Sequence, residues 1–151
     1  MRRIVCCFAI VAATPLVVAA ADLRAEFLDL EARLMVAAQS KRVEEEKALV
    51  SEDFAWSMAF EGRANEVMTR GEWLRGVDYY DLQQFEISQL TAQEVGNVVV
   101  TNFRFARTAT FADQLDVSGE LVFTDLWHKN GGAWLLARRF VSRAAPVPAK
   151  K

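Results

Sequence analysis

Two hydrophobic periods divide the chain. In ADLRAEFLDLEARLMVAAQ, Leu23, Phe27, Leu30, Leu34 and Ala38 recur at three- and four-residue spacing, which predicts a helix of about five turns with one apolar stripe. SKRVEEEKALV follows and predicts a shorter helix, with Ser40 offered as N-cap and acids in its first turn, where the macrodipole favours them. Its Glu44-Glu45-Glu46 run reads most simply as a solvated face. DFAWSMAF (53–60) is aromatic-rich and predicts a short strand. EGRANEV predicts a loop, and Thr69 and Glu72 have the spacing of a capping box opening a short helix that carries Trp73 and stops near Gly76.

From there the period changes to two. Residues 82–95 and 98–112 are long extended runs joined at Gly96-Asn97, a hairpin signal. ADQLDVSG leads to ELVFTDLWHK, the turn NGGA and WLLARRFVSR, and a proline- and lysine-bearing tail ends the chain. Helices first and a mostly antiparallel sheet afterwards make one α+β domain. A meander of such long strands cannot stay flat, because twist accumulates. Curled around the first helices, it makes a cone with a concave, partly apolar interior, the kind of place where small ligands bind.

The first 21 residues stand apart. Arg2 and Arg3 precede an apolar run from Ile4 to Val18, and Ala19-Ala20-Ala21 supplies small residues for signal peptidase. This is the pattern of a secretory leader, with an uncleaved anchor as its alternative. Cleavage after Ala21 removes both cysteines, Cys6 and Cys7, leaving no thiol nucleophile, disulfide or thiolate metal ligand. It lowers Lys+Arg from 18 to 16 against 20 Asp+Glu, a net charge of about −4. That balance speaks against nucleic acid, whose backbone demands clustered Lys and Arg. The expectation is therefore an exported (periplasmic or secreted) domain over 22–144, a disordered tail over 145–151, and no membrane association after cleavage.

The order and motifs resemble the nuclear transport factor 2-like superfamily, also called SnoaL-like. At the C-terminus, Thr124-x-x-Trp127-His128 leads through Gly131-Gly132 to Trp134. This resembles the T-x-x-W…G-x-W hairpin of the family's domain-of-unknown-function branch and of the calcium/calmodulin-dependent kinase association domain. NGGA departs from that turn by an extra residue. Leu49-Val50-x-x-Asp53-Phe54 and Thr69-Arg70-Gly71-Glu72 are similar to the family's lead-in to the first strand and to its capped helix. The resemblance covers about residues 23–143 and implies the cone fold, with N-terminal helices on a curved sheet, and a homodimer formed through the sheet. It chooses no activity, because members include isomerases, dehydratases, cyclases, epoxide hydrolases and dimerising scaffolds.

Candidate chemistry centres on the last hairpin. Alternation puts Leu121, Phe123, Asp125 and Trp127 on one face and Val122, Thr124, Leu126 and His128 on the other. Asp125, between Phe123 and Trp127, is the candidate acid or base, since desolvation raises a carboxyl pKa. Its alternative is an ion pair with Arg104, Arg107, Arg138 or Arg139 on a neighbouring strand. His128, the single histidine, lies on the opposite face near the strand end, so no Asp–His dyad forms locally. It is too few ligands for zinc. Arg107 is the cation on the apolar odd-numbered face of its strand and points into the cone or, past a bulge, to water. Trp56, Trp73, Phe103, Phe105, Phe123 and Trp127 are candidate pocket walls, and Tyr79 or Tyr80 could place a phenol at the mouth. No cofactor and no metal are expected. Three readings remain open: a pocket for a small, mainly apolar molecule; a cofactor-free isomerase, dehydratase or cyclase using Asp125; and a dimerising module with a vestigial pocket.

Overall fold

The computed structural model describes residues 15–59 and 65–144. Most of the predicted leader, Phe60 and the tail from residue 145 lie outside the described residues. Helix α1 runs Pro15–Gln39 and lies against the sheet. Phe27, Leu30, Leu34 and Ala38 of the predicted stripe are buried, and Leu23 packs against the core from its edge. Helix α2 spans Val43–Leu49. Ser40 is not its N-cap, which is Arg42 without a side-chain bond. Instead Ser40 finishes α1: its N–H donates to Val36 O at 3.0 Å, Arg42 N–H donates to Ala37 O at 2.9 Å, and Lys41 turns the chain at φ 57°. The Lys41 ammonium then donates to the carbonyls of Val77, Asp78 and Tyr80. The capping box is present as predicted, opening α3, Arg70–Gly76, after which a 3-10 turn covers Val77–Tyr79.

The strands are β1 (Val50–Ala59), β2 (Glu66–Thr69), β3 (Tyr80–Val95), β4 (Val98–Phe111), β5 (Leu115–Asp116), β6 (Gly119–Asn130) and β7 (Ala133–Arg143). Two of these were not anticipated. β2 falls in the predicted loop and lies at the sheet edge, where backbone pairing with β1 compensates for mostly exposed side chains. β5 pairs only with the end of β4. Sheet order is β2-β1-β7-β6-β4-β3, antiparallel except for the parallel pair β1–β7. β3 bends at two register shifts, one of them around Gln89 at φ 54°, and such bulges increase the twist that curls a sheet.

The turn of the last hairpin is a plain two-residue loop with Asn130 opposite Ala133, using Gly131 and Gly132 at positive φ. The register shift comes further along, where Leu126 faces Arg138 but Trp127 faces Leu136, leaving Ala137 as the extra residue. The two tryptophans of the resemblance motif then grip α1. Trp127 and Trp134 meet the Phe27 ring edge-on at 5.8 and 5.1 Å, and Trp134 Nε1 donates to Glu26 at 3.0 Å. Among the described residues no helix is long and apolar enough to cross a membrane.

Candidate functional site

Pairing register brings the polar interior together. Met68, Trp56, Arg139, Asp125, Thr101 and Ala92 are successive partners across β2, β1, β7, β6, β4 and β3. Directly paired residues point to the same face, here the face covered by the helices. Glu31 comes down onto this row from α1. Arg139 lies at the centre, 2% exposed. Its Nε donates to both oxygens of Asp125 at 3.0 Å, and its Nη2 donates to Asp125 Oδ2 at 2.5 Å and to Glu31 Oε2 at 2.7 Å. The other oxygen of Glu31 accepts from Thr101 Oγ1 and Trp127 Nε1, each at 3.1 Å. The guanidinium also lies 4.6 Å from the centre of the Phe123 ring.

Two carboxylates therefore share one cation in the buried interior. Burial, joined by the nearby charge of Asp125, pushes the Glu31 carboxyl well above the ordinary carboxylate range, although Arg139 pulls the other way. Burial acts to lower Arg139, but Asp125 and Glu31 outweigh it and the guanidinium is held more firmly charged. A third acid joins from α2. Glu46 is fully buried, and neither of its oxygens has a hydrogen-bond partner among the described residues. Burial raises its pKa to about 7 against the opposing pull of Arg139 and Lys41. The expected solvated acidic face thus holds for Glu44 and Glu45 and fails for Glu46. One short helix turn aims its third acid inward beside Leu49.

The pocket-wall candidates sort by depth. Phe103, Phe105, Phe123 and Trp127 are buried core, with Phe105 stacked on Phe123 at 5.0 Å and Phe103 edge-on to Phe123 at 5.2 Å. Trp73 is buried and Trp56 half-buried, their rings edge-on at 6.4 Å. The Trp56 Nε1 atom is buried without a partner among the described residues. Arg107 does point inward, because β4 runs without a bulge against β6. It holds Tyr80 rather than Asp125, donating from Nη1 to the phenol oxygen at 3.1 Å and from Nε to Val117 O at 2.8 Å. Burial raises the Tyr80 phenol. Tyr79 faces out, 61% exposed, with its ring against Phe111. His128 is on the face opposite Asp125, as alternation requires, but it is half-buried with Nε2 covered. Of the four arginines offered to Asp125, Arg104 pairs with Glu120, Arg138 with Asp53, and Arg139 takes the role. Among the described residues no group of His, Cys, Asp and Glu is placed to hold a metal ion.

No protein-family model matches the sequence, and no curated protein is significantly similar to it. Solved structures do match. An NTF2-like protein from Cytophaga hutchinsonii superposes with a TM-score of 0.72 at 16% identity, over 80% of this chain and 98% of that one. The chain has the nuclear transport factor 2-like fold. An NTF2-like protein of unknown function in nutrient uptake from Rhodospirillum rubrum gives 0.69 at 20% identity, over 78% and 98% of the two chains. A protein from Exiguobacterium sibiricum described as a Ca/calmodulin-dependent kinase II association domain gives 0.67 at 14%, over 85% and 96%. These neighbours share the NTF2-like cone, and at such identities they carry the fold alone. Within that cone, Glu31, Asp125 and Arg139 occupy the centre.

Proposed function

We propose that this NTF2-like chain is an exported protein that binds a small, mainly apolar molecule in its cone, beside Trp56 and Trp73. The observation that carries this reading is a pair of unmatched groups around Arg139. Among the described residues, Trp56, its partner across the sheet, has a buried N–H without an acceptor, and Glu46 has a buried carboxyl without a donor. Native interiors rarely leave such groups unmatched. A polar group on an otherwise apolar ligand can accept from the indole or donate to Glu46, while Trp73 and Phe54 supply the apolar wall. The enzyme reading has less support. Both oxygens of Asp125 face the Arg139 guanidinium, so this carboxylate is already committed to an ion pair. Export rests on the leader pattern. Among the described side chains the first buried one is Phe27, so cleavage after Ala21 removes none of the described core.

The test is Trp56→Phe, which keeps an aromatic ring and deletes the N–H. Small cyclic alcohols are expected to raise the melting temperature of the wild-type protein. The variant, folded by circular dichroism, is expected to bind them at least tenfold more weakly, about the worth of one hydrogen bond to a group otherwise left unmatched. A panel that never stabilises the wild type, or a variant that binds equally well, overturns the reading.

The outer face of the sheet favours a second property, self-association. Phe140 is 46% exposed beside a cavity of about 360 Å³ lined also by Met58, Val122, Thr124 and Val141. Sedimentation is expected to show a dimer, and Phe140→Glu a monomer, since the substitution puts a charge into an apolar contact. A monomeric wild type rules this out.

A further inference from the structure

A second cavity, of about 350 Å³, opens outside the cone where β1 departs from β7. Val50 pairs with Leu136 and Ala55 with Arg138, so β1 advances five residues while β7 advances two. The slack is the segment Ser51–Phe54, which arches off the sheet. Arg138 stitches it down by donating to the carbonyls of Asp53 and Ala137, and Ser51 Oγ donates to Asp53 Oδ1 at 2.7 Å. Ala48, Val50 and Leu135 supply apolar walls, and Arg70 and His128 reach the cavity from α3 and β6.

Arg70 is held in place. Its Nη1 donates to Glu52 at 3.0 Å and its Nη2 to Lys47 O at 3.1 Å. Its Nε is buried without a partner among the described residues, and so is His128 Nε2. Two nitrogens able to donate are thus left unmatched on two side chains that line one cavity. The surrounding charges are already balanced. Lys47 lies 3.4 Å from Glu44, Arg70 lies 3.0 Å from Glu52, and Arg138 lies 3.6 Å from Asp53. A dianion finds no excess positive charge here, whereas one carboxylate has two oxygens for two N–H groups.

We infer that this cavity is a second binding site, for a small monocarboxylate whose carboxylate accepts from Arg70 Nε and His128 Nε2 and whose apolar body rests on Val50 and Leu135. The volume lies at the lower end of the roughly 300–1,000 Å³ typical of ligand pockets, which suits an acid of about the size of benzoate. The site is independent of the cone, since His128 faces away from Asp125 and Trp127.

The experiment uses the full chain, with sodium benzoate as probe and inorganic phosphate as comparison. Because the chain has one histidine, its imidazole resonances report on this cavity alone. Benzoate is expected to shift them saturably, and phosphate to bind at least tenfold more weakly. In calorimetry, Arg70→Gln and, separately, His128→Phe are each expected to weaken benzoate at least tenfold. If Arg70→Gln fails to fold, His128→Phe decides alone. No saturable shift, equal binding of phosphate, or unchanged affinity in the folded variants overturns the proposal.

Discussion

Replacing Arg139 with methionine is expected to destabilise the protein by about 3–5 kcal/mol, the usual cost of removing one partner from a buried ion pair. The reason lies in what remains. Asp125 takes three side-chain bonds from Arg139, and without them Glu31 is left with those from Thr101 and Trp127. Against a total stability of about 5–15 kcal/mol, that loss puts the variant near its unfolding threshold. Acid is expected to recover part of it, because Glu31, whose carboxyl burial already pushes up, takes up a proton. Urea unfolding at pH 5 and pH 8 measures both effects. The double variant Asp125→Leu, Arg139→Met is expected to lie closer to the wild type than Arg139→Met alone, since apolar replacements of buried ion pairs are often tolerated. A single-variant loss below about 1 kcal/mol, the range of exposed pairs, would contradict the assignment of Arg139 as the centre of the cluster.

Glu46→Gln is expected to change stability in the opposite direction. The carboxyl titrates at about 7 in the folded protein against an ordinary 4.5. Between those values the folded state holds a proton that the unfolded state has released, so stability falls as pH rises through the window and stays low above it. At about 1.4 kcal/mol per unit, the loss at pH 8 is at most about 3.5 kcal/mol. Glutamine cannot ionise, so the variant is expected to be more stable than the wild type at pH 8 and to lose most of that advantage at pH 5. Glu31, raised for the same reason, tilts the wild-type profile the same way. Wild-type stability that is equal at the two pH values, or a variant no more stable at pH 8, would sink the prediction. If Glu46 receives a ligand hydroxyl, the stabilised variant also loses ligand affinity, a familiar exchange of stability against function.

Both residues show where sequence reading stops. Glu31 was visible in principle. It sits four residues after Phe27 and three before Leu34, on the buried stripe itself, and an acid in that position asks for a buried partner. Glu46 was not visible in a run of three glutamates, because a seven-residue helix has too few turns for a period to single one out. The arginine that holds Asp125 was one of four, and alternation cannot say which neighbouring strand pairs with which. The β2 edge strand and the Ser40 cap failed for a related reason. Pairing with β1 outweighed weak local preference in the first, and α1 used Ser40 for its own ending in the second.

The sequence by itself determined the α+β order, the capped third helix, the Gly131-Gly132 turn and the opposite faces of Asp125 and His128. These depend on local period and turn chemistry, which neighbouring residues dictate. It also carried the resemblance that led to the cone. Only the tertiary structure decided that Asp125 belongs to Arg139, that Glu31 and Glu46 enter the interior, and that β1 lifts away from β7 to leave a cavity between Arg70 and His128. Those outcomes depend on strand register and on a helix laid across it, contacts between residues up to 108 positions apart, which no local pattern encodes.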